Sequence, residues 1–113
     1  RYAMTYPHRA QTEAQPLDLL TCPPLTFAAP DRKVFPCLAL AEEAAAEGGT
    51  ACAVLNGANE EAVRLFLTDQ IGFYDIARLT AEARSAVPVV QSPSLEEILA
   101  ADAAARRQVL ARA

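Results

Sequence analysis

The sequence predicts a mainly α-helical fold, a small four-helix-type bundle that follows an extended arm rich in proline. Two observations support this prediction. Six of the eight prolines lie within residues 1–36, where they prevent a long helix from forming. From Pro36 onward, apolar residues recur at the three- and four-residue spacing of one helix face. We therefore divide the chain into an arm, residues 1–36, and a helical bundle domain, residues 37–113.

Composition limits the classes of protein to which the chain can belong. With 113 residues it can form one domain, which would bury roughly two-thirds of its unfolded surface. A hydrophobic content of 52% with only 6% aromatic residues suits closely packed helices. The net charge of −4 argues against a nucleic-acid partner or an anionic membrane surface. No apolar run approaches the roughly 20 residues that a membrane span needs, so we expect no membrane partner.

One short strand is predicted in the arm, at residues 25–28 (Leu-Thr-Phe-Ala), which Pro30 and Asp31 close. A single strand cannot satisfy its own backbone donors and acceptors, and the chain offers it no comparable neighbour. We expect it to pair with a sheet outside this segment. The chain also begins at Arg1, with Met4 as its only methionine. Both features lead us to expect a piece of a longer protein.

The first two predicted helices are separated by a glycine pair. The first begins at Pro36 and ends at Gly48-Gly49. The second begins after Thr50, at the N-cap position, and continues to about residue 68. Each has an apolar stripe: Cys37, Leu38, Ala41, Ala44 and Ala45 in the first; Val54, Leu55, Ala58, Ala62, Leu65 and Phe66 in the second. The second helix is the element around which we expect the others to pack.

Residues 56–59 (Asn-Gly-Ala-Asn) interrupt this second helix with weak helix formers. Three interpretations remain open. The helix is simply a kinked core helix; or it restarts here with an asparagine as a second cap; or an asparagine amide is committed to a particular backbone partner. Glu60, Glu61 and Arg64 are expected on the outer face, with Glu60 and Arg64 at the supportive i, i+4 spacing.

Two further helices complete the predicted bundle. The third is outlined by a helical stripe and stops near Pro88. The fourth begins with a capping box in which Ser94 and Glu97 satisfy each other's backbone donors. Asp102 falls near its apolar face, and Arg106 follows at i+4, which predicts a buried or half-buried ion pair. The apolar positions are Phe73, Ile76, Leu79, Thr80 and Ala83 in the third helix; Leu95, Ile98, Leu99, Val109 and Leu110 in the fourth.

No catalytic or metal-binding residue is predicted within these 113 residues. His8 is the single histidine, in a proline-flanked arm without an obvious nucleophile, so we expect an exposed arm residue. Gly48-Gly49-Thr50 could hold an anion at a helix start. We prefer the interpretation that these residues only end one helix and begin the next. The three cysteines form no Cys-x-x-Cys pair, which predicts reduced, buried thiols in a cytoplasmic protein. They are Cys22, Cys37 and Cys52.

The chain resembles the 1-deoxy-D-xylulose 5-phosphate reductoisomerase family. Residues 54–60 (Val-Leu-Asn-Gly-Ala-Asn-Glu) are similar to the family's Leu-Asn-Ala-Ala-Asn-Glu segment, although Gly57 departs from it. Further blocks occur in the family's order and together cover nearly the whole chain. They are Met-Thr-Tyr-Pro at 4–7, Leu-Thr-Phe-Ala-Ala-Pro-Asp at 25–31, Phe-Pro-Cys-Leu at 35–38, Ile-Gly-Phe-Tyr-Asp-Ile at 71–76 and Asp-Ala-Ala-Ala-Arg at 102–106. Tyr74 and Ala28 also differ from the commoner family residues.

The resemblance implies an oxidoreductase and isomerase of the non-mevalonate route of isoprenoid (terpenoid) biosynthesis. Such enzymes rearrange 1-deoxy-D-xylulose 5-phosphate and reduce the product with NADPH to 2-C-methyl-D-erythritol 4-phosphate. A divalent metal, Mg²⁺, Mn²⁺ or Co²⁺, polarises the carbonyl. The family has an NADPH-binding domain, a catalytic domain with acidic metal ligands and a C-terminal helical bundle, and it is usually a homodimer of the bacterial cytoplasm.

This sequence resembles only the end of the catalytic domain, the linker and the bundle. We therefore expect it to be inactive alone, to bind neither NADPH nor metal by itself, and to have the rest of the same enzyme as its partner. Met4 matches a family methionine beside the nicotinamide and substrate pocket, which implies an apolar pocket wall; a packed linker methionine explains it equally well. The alternative is a free-standing helical interaction module that offers a groove to a partner helix.

Overall fold

A computed structural model of the chain describes residues 2–11 and 13–113. Arg1 and Thr12, which belong to the predicted arm, lie outside the described residues. The element order is α1 Tyr2–Thr5, α2 Pro36–Glu47, α3 Ala51–Leu67, α4 Phe73–Ala86 and α5 Leu95–Arg112. The last four helices form the bundle, which confirms the predicted fold class.

The arm contains little regular structure in its described part. It holds the single helical turn α1, a turn in which the Asp18 carbonyl accepts from the Cys22 N–H at 3.0 Å, and a turn closed by Asp31. Residues 25–28 form no ladder within the described chain, so the strand expected to pair outside the segment stays a prediction. The arm's large apolar side chains are all exposed: Tyr2, Met4, Tyr6, Leu17, Leu19, Leu20, Leu25, Phe27, Val34 and Phe35.

Helix α3 is the centre of the bundle and contacts α2, α4 and α5. Its predicted apolar stripe is buried at Val54, Ala58, Ala62 and Leu65. The helix is continuous through residues 56–59, so the predicted restart is wrong. The Asn56 amide donates to the Glu60 carboxylate at 3.3 Å, one turn on, and not to a backbone group. Continued packing of the apolar face therefore overrides the local propensity of this segment.

Gly57 sets how closely α3 and α5 approach. A Cβ at this position would lie 2.5 Å from the Asp102 carboxylate and 3.0 Å from the Asp102 carbonyl oxygen. Because glycine lacks that atom, the two helix backbones can meet at this crossing. Small side chains accordingly form the buried face of α5. They are Ala101, Ala105 and Val109.

The predicted apolar face of α5 is therefore only partly right. Val109 is buried as expected, but Leu95, Leu99 and Leu110 are 66%, 60% and 53% exposed, and Ile98 also lies at the surface. The close approach of α3 leaves room for alanine and valine and not for leucine. The helical spacing of apolar residues indicates an apolar side of α5, but it does not reveal the narrower stripe of that side that packs against α3.

Helix α2 covers α3 incompletely, and the three thiols are not buried. Ala44 is the one buried residue of α2. Cys37 and Cys22 are half-buried, and Cys52, on the second residue of α3, is exposed. All three are free, as expected, but the prediction that they are buried is wrong.

The start of α3 is joined to the loop that follows α4. Thr50 occupies the predicted N-cap position, yet its side chain caps no N–H of α3. Its hydroxyl instead accepts from the Val90 N–H at 3.0 Å, and its own N–H donates to the Val90 carbonyl at 3.0 Å. Gly49, immediately before it, has φ +55°. This reciprocal pair connects residues 40 positions apart.

The predicted capping box of α5 is present. The Ser94 hydroxyl accepts from the Glu97 N–H at 3.3 Å, and the Glu97 carboxylate accepts from the Ser94 N–H at 2.8 Å. We expect Ser94→Ala to lower the free energy of unfolding by about 1 kcal/mol, because one helix-end donor loses its partner. Urea unfolding followed by circular dichroism measures this. The control is Ser85→Ala inside α4, which should change the value by less than about 0.5 kcal/mol.

Candidate functional site

A cluster of charged side chains lies between α3 and α5. Arg106 is its centre. The guanidinium Nε donates to Asp102 at 2.8 Å, and Nη2 donates to Glu60 at 2.6 Å. Nη1 lies 3.9 Å from the Glu61 carboxylate. The predicted Asp102–Arg106 pair is confirmed, and both side chains are about one-third exposed.

Glu61 was expected on the outer face but is buried, with 8% of the residue exposed. Arg64 compensates the buried charge through two hydrogen bonds to the same carboxylate oxygen, at 2.6 and 2.9 Å. The expected Glu60–Arg64 pair is therefore wrong: Glu60 pairs with Arg106 across the helix crossing, and Arg64 pairs with Glu61. A buried glutamate on an otherwise polar face follows from the helix that packs there, which the sequence period alone does not reveal.

The electrostatics of the cluster are those of paired charges. The hydrogen bond from Arg106 holds the pKa of Glu60 below its ordinary value, and the bond from Asn56 adds to this. The hydrogen bonds to Asp102 and Glu60 raise the pKa of Arg106 above that of a free guanidinium. The cluster thus joins α3 to α5 through hydrogen-bonded ion pairs.

We expect Arg106→Met to lower the free energy of unfolding by about 1 kcal/mol at pH 7, a value that allows for the exposure of the pair. The lowered pKa of Glu60 makes its contribution full above the ordinary value of 4.5 and lost as the pH falls through the lower folded value. The difference in unfolding free energy between the unmodified chain and Arg106→Met should therefore shrink as the pH falls through the folded pKa of Glu60. Arg107→Met, at an exposed position of α5, is the control, and a difference that persists in acid would contradict the assignment.

An apolar groove lies where the arm joins the bundle. Its volume is about 490 Å³, with Val34 and Phe35 on one wall and Phe73, Tyr74 and Ala77 of α4 on the other. Phe73 stacks edge-on against Phe66 at 5.7 Å between ring centroids and against Tyr74 at 5.8 Å. We call this feature the arm–α4 groove. It is concave, aromatic and open to solvent.

A second cavity of about 400 Å³ lies between α2 and α3, with Cys37, Cys52, Asn56 and Asn59 among its lining residues. No ionisable carboxylate, imidazole or amine lines it. Across the residues that the structure describes, no group of three or more histidine, cysteine or acidic side chains could hold a metal ion.

The arm residues singled out by sequence lie at the surface. Met4 is in α1 and 91% exposed. His8 is exposed, with its backbone N–H donating to the Thr5 carbonyl at 2.8 Å. The exposure of His8 is as expected. The role of Met4 as a pocket wall stays a prediction.

Comparison with known proteins identifies the family of this chain. The sequence matches the family described as the DXP reductoisomerase C-terminal domain over residues 1–108. The chain belongs to this family. Among the helices that the structure describes, none is both long enough and apolar enough to cross a membrane.

The similar full-length reductoisomerases are much longer than this chain. It is 50% identical to 1-deoxy-D-xylulose 5-phosphate reductoisomerase of Synechococcus sp. over 107 residues, 95% of this chain and 27% of that protein. It is 47% identical to the Ralstonia pickettii protein over 107 residues, with shares of 95% and 27%. The chain thus spans about a quarter of the length of the curated relatives that it matches.

Solved reductoisomerase structures contain the same fold. The Zymomonas mobilis enzyme in complex with NADPH matches with a TM-score of 0.81 and 39% identity, over 98% of this chain and 29% of that one. A reductoisomerase in complex with NADPH, fosmidomycin and magnesium matches with a TM-score of 0.83 and 36% identity, over 98% and 29%. The bundle and arm described above are therefore similar to the C-terminal part of these enzymes.

Proposed function

We propose that this chain is the C-terminal structural domain of an enzyme that converts 1-deoxy-D-xylulose 5-phosphate to 2-C-methyl-D-erythritol 4-phosphate with NADPH and a divalent metal. The observation that carries the proposal is the family match over residues 1–108, together with relatives of which the match covers only 27%. In this proposal the 113 residues contribute no reacting group. They brace, that is, structurally support, the part of the enzyme that carries the reacting groups.

The exposed apolar surface of the arm supports a bracing role. Ten large apolar side chains of the arm's described part are exposed. Exposed apolar surface of this extent is typical of a surface that another domain or protein covers. A catalytic domain that lies on the arm would cover them and would offer the missing neighbour to the strand expected at residues 25–28.

The cofactors belong to the rest of the enzyme in this account. The described residues lack a metal-ligand set, because their carboxylates are dispersed or paired with arginines and no three donors converge. The sequence also lacks a glycine-rich dinucleotide fingerprint. We therefore assign NADPH and Mg²⁺, Mn²⁺ or Co²⁺ to the preceding domains. Met4 is the one residue proposed to reach the nicotinamide and substrate pocket, as an apolar wall.

The proposal keeps the division into an arm at residues 1–36 and a bundle domain at residues 37–113. The start of α2 at Pro36 and the exposure of the residues before it support this boundary. The complete enzyme is proposed to be a cytoplasmic homodimer, as the family resemblance implies.

A chimera tests the proposed function. Residues 1–113 replace the matched C-terminal quarter of the Synechococcus relative, and NADPH oxidation is followed with 1-deoxy-D-xylulose 5-phosphate and Mg²⁺. We expect kcat within about tenfold of the parent relative, since the reacting groups are unchanged. The relative without its C-terminal quarter is the baseline. A chimera that folds but shows only the activity of that baseline would overturn the proposal and favour a free-standing interaction module.

A further inference from the structure

The arm–α4 groove is an apolar recess whose aromatic walls are open to solvent. Phe35, Phe73 and Tyr74 are 62%, 65% and 86% exposed. Phe73 contacts both Phe66 and Tyr74 edge-on, so three aromatic rings lie together at one side of the recess. Aromatic side chains gathered at a recess are typical of the anchor sites that dominate interface energies.

The rim of the groove carries one cation without an ion-pair partner among the described residues. Lys33 lines the groove. The neighbouring arginines are already neutralised, since Arg32 pairs with Glu42 at 2.9 Å and Arg78 pairs with Asp75 at 2.9 Å. Of the residues that line the groove, Lys33 is the charged one, so a segment that enters the groove meets aromatic walls and an ammonium group. This charge favours a segment that carries a carboxylate beside its apolar side chains.

The groove adjoins the arm, because Val34 and Phe35 are at once the end of the arm and a wall of the groove. The exposed Leu25 and Phe27 lie further along the arm, beyond the charged residues at 31–33. A body that covers the whole arm would therefore extend to the groove. The relatives supply such a body, because about three-quarters of their length lies outside the part matched by this chain.

We propose that the arm–α4 groove docks an apolar, carboxylate-bearing segment of the catalytic portion of the same enzyme, with Phe73 and Tyr74 as anchors and Lys33 as the charge partner. This inference rests on the proposed function and adds the surface through which the bundle is coupled to the rest. It also specifies the chemistry of the segment that the surface accepts.

Hydroxyl-radical footprinting of two proteins tests the groove. One is the 113-residue chain alone, and the other is the full-length chimera, each at low micromolar concentration. We expect oxidation of Phe35, Phe73 and Tyr74 to fall severalfold in the chimera, because a docked segment shields their rings from solvent. Leu110, an exposed residue of α5 outside the groove, is the internal control and should change little.

The outcomes separate the two proposals. An active chimera with unchanged labelling of the three aromatic residues would overturn the groove assignment and leave the proposed function intact. A chimera that folds but shows only the activity of the truncated relative would overturn the proposed function. Labelling of the isolated chain that falls as its concentration rises would identify a second copy as the occupant and would also overturn the assignment. As a second readout, Lys33→Glu with Tyr74→Asp in the active chimera should restore labelling of Phe73, whereas Leu110→Asp should not.

Discussion

Gly49→Ala is expected to lower the free energy of unfolding of the bundle by about 3 kcal/mol. The residue has φ +55°, a left-handed conformation that disfavours any side chain. A Cβ here would also lie 2.3 Å from the Val90 carbonyl oxygen. That oxygen accepts the Thr50 N–H, so relieving the clash separates the reciprocal hydrogen bonds that join α3 to the loop after α4. Both effects act in the same direction.

Gly72→Ala is the matched control for this substitution. Gly72 has φ −79° and ψ 162°, which alanine adopts freely. The added Cβ would meet only the Asp75 carboxylate, at 3.2 Å, and that side chain can shift. We expect a change below about 0.5 kcal/mol. Chemical unfolding of both variants measures the difference. Equal effects at the two positions would show that the left-handed turn and the Val90 contact do not stabilise the bundle.

Leu79→Ala is expected to cost about 3 kcal/mol of unfolding free energy. The side chain is 1% exposed and belongs to the core that α3, α4 and α5 share. Its removal leaves a cavity that the short side chains of α5 cannot fill. A domain of this size has a total stability of roughly 5–15 kcal/mol, so the loss should be visible as a lower thermal midpoint.

Leu99→Ala provides the comparison for the core substitution. Leu99 was predicted from the sequence to be part of the apolar face of α5, yet it is 60% exposed. In the isolated chain we expect a change below about 0.5 kcal/mol. Thermal unfolding by calorimetry distinguishes the two variants. A loss at Leu99 as large as that at Leu79 would mean that α5 packs through its leucines and not through Ala101, Ala105 and Val109.

The order and bounds of the helices could be predicted because their ends are encoded locally. Pro36 begins α2, the glycine pair at 48–49 ends it, and the Ser94 capping box begins α5. These signals depend on neighbours a few residues away in the chain, and the structure places the helix ends within about two residues of the predictions.

The burial of single side chains could not be predicted in the same way. The helical period identifies an apolar side, but the distance to the next helix decides which side chains fit. Gly57 allows α5 to approach α3 closely, and at this crossing alanines of α5 are buried, while Leu95 and Leu99 are exposed and Glu61 is buried. The aromatic groove was also missed. It combines residues from the arm and from α4 that lie nearly 40 positions apart, and no local pattern indicates that they meet.

The most direct test of the bracing role uses the Gly49→Ala and Gly72→Ala pair in the full-length chimera. The temperature at which NADPH oxidation is lost is measured beside the temperature at which the bundle unfolds. If the bundle supports the site, Gly49→Ala should lower both temperatures together, and Gly72→Ala should change neither. Activity that persists in the Gly49→Ala chimera above the unfolding temperature of its bundle would contradict the account.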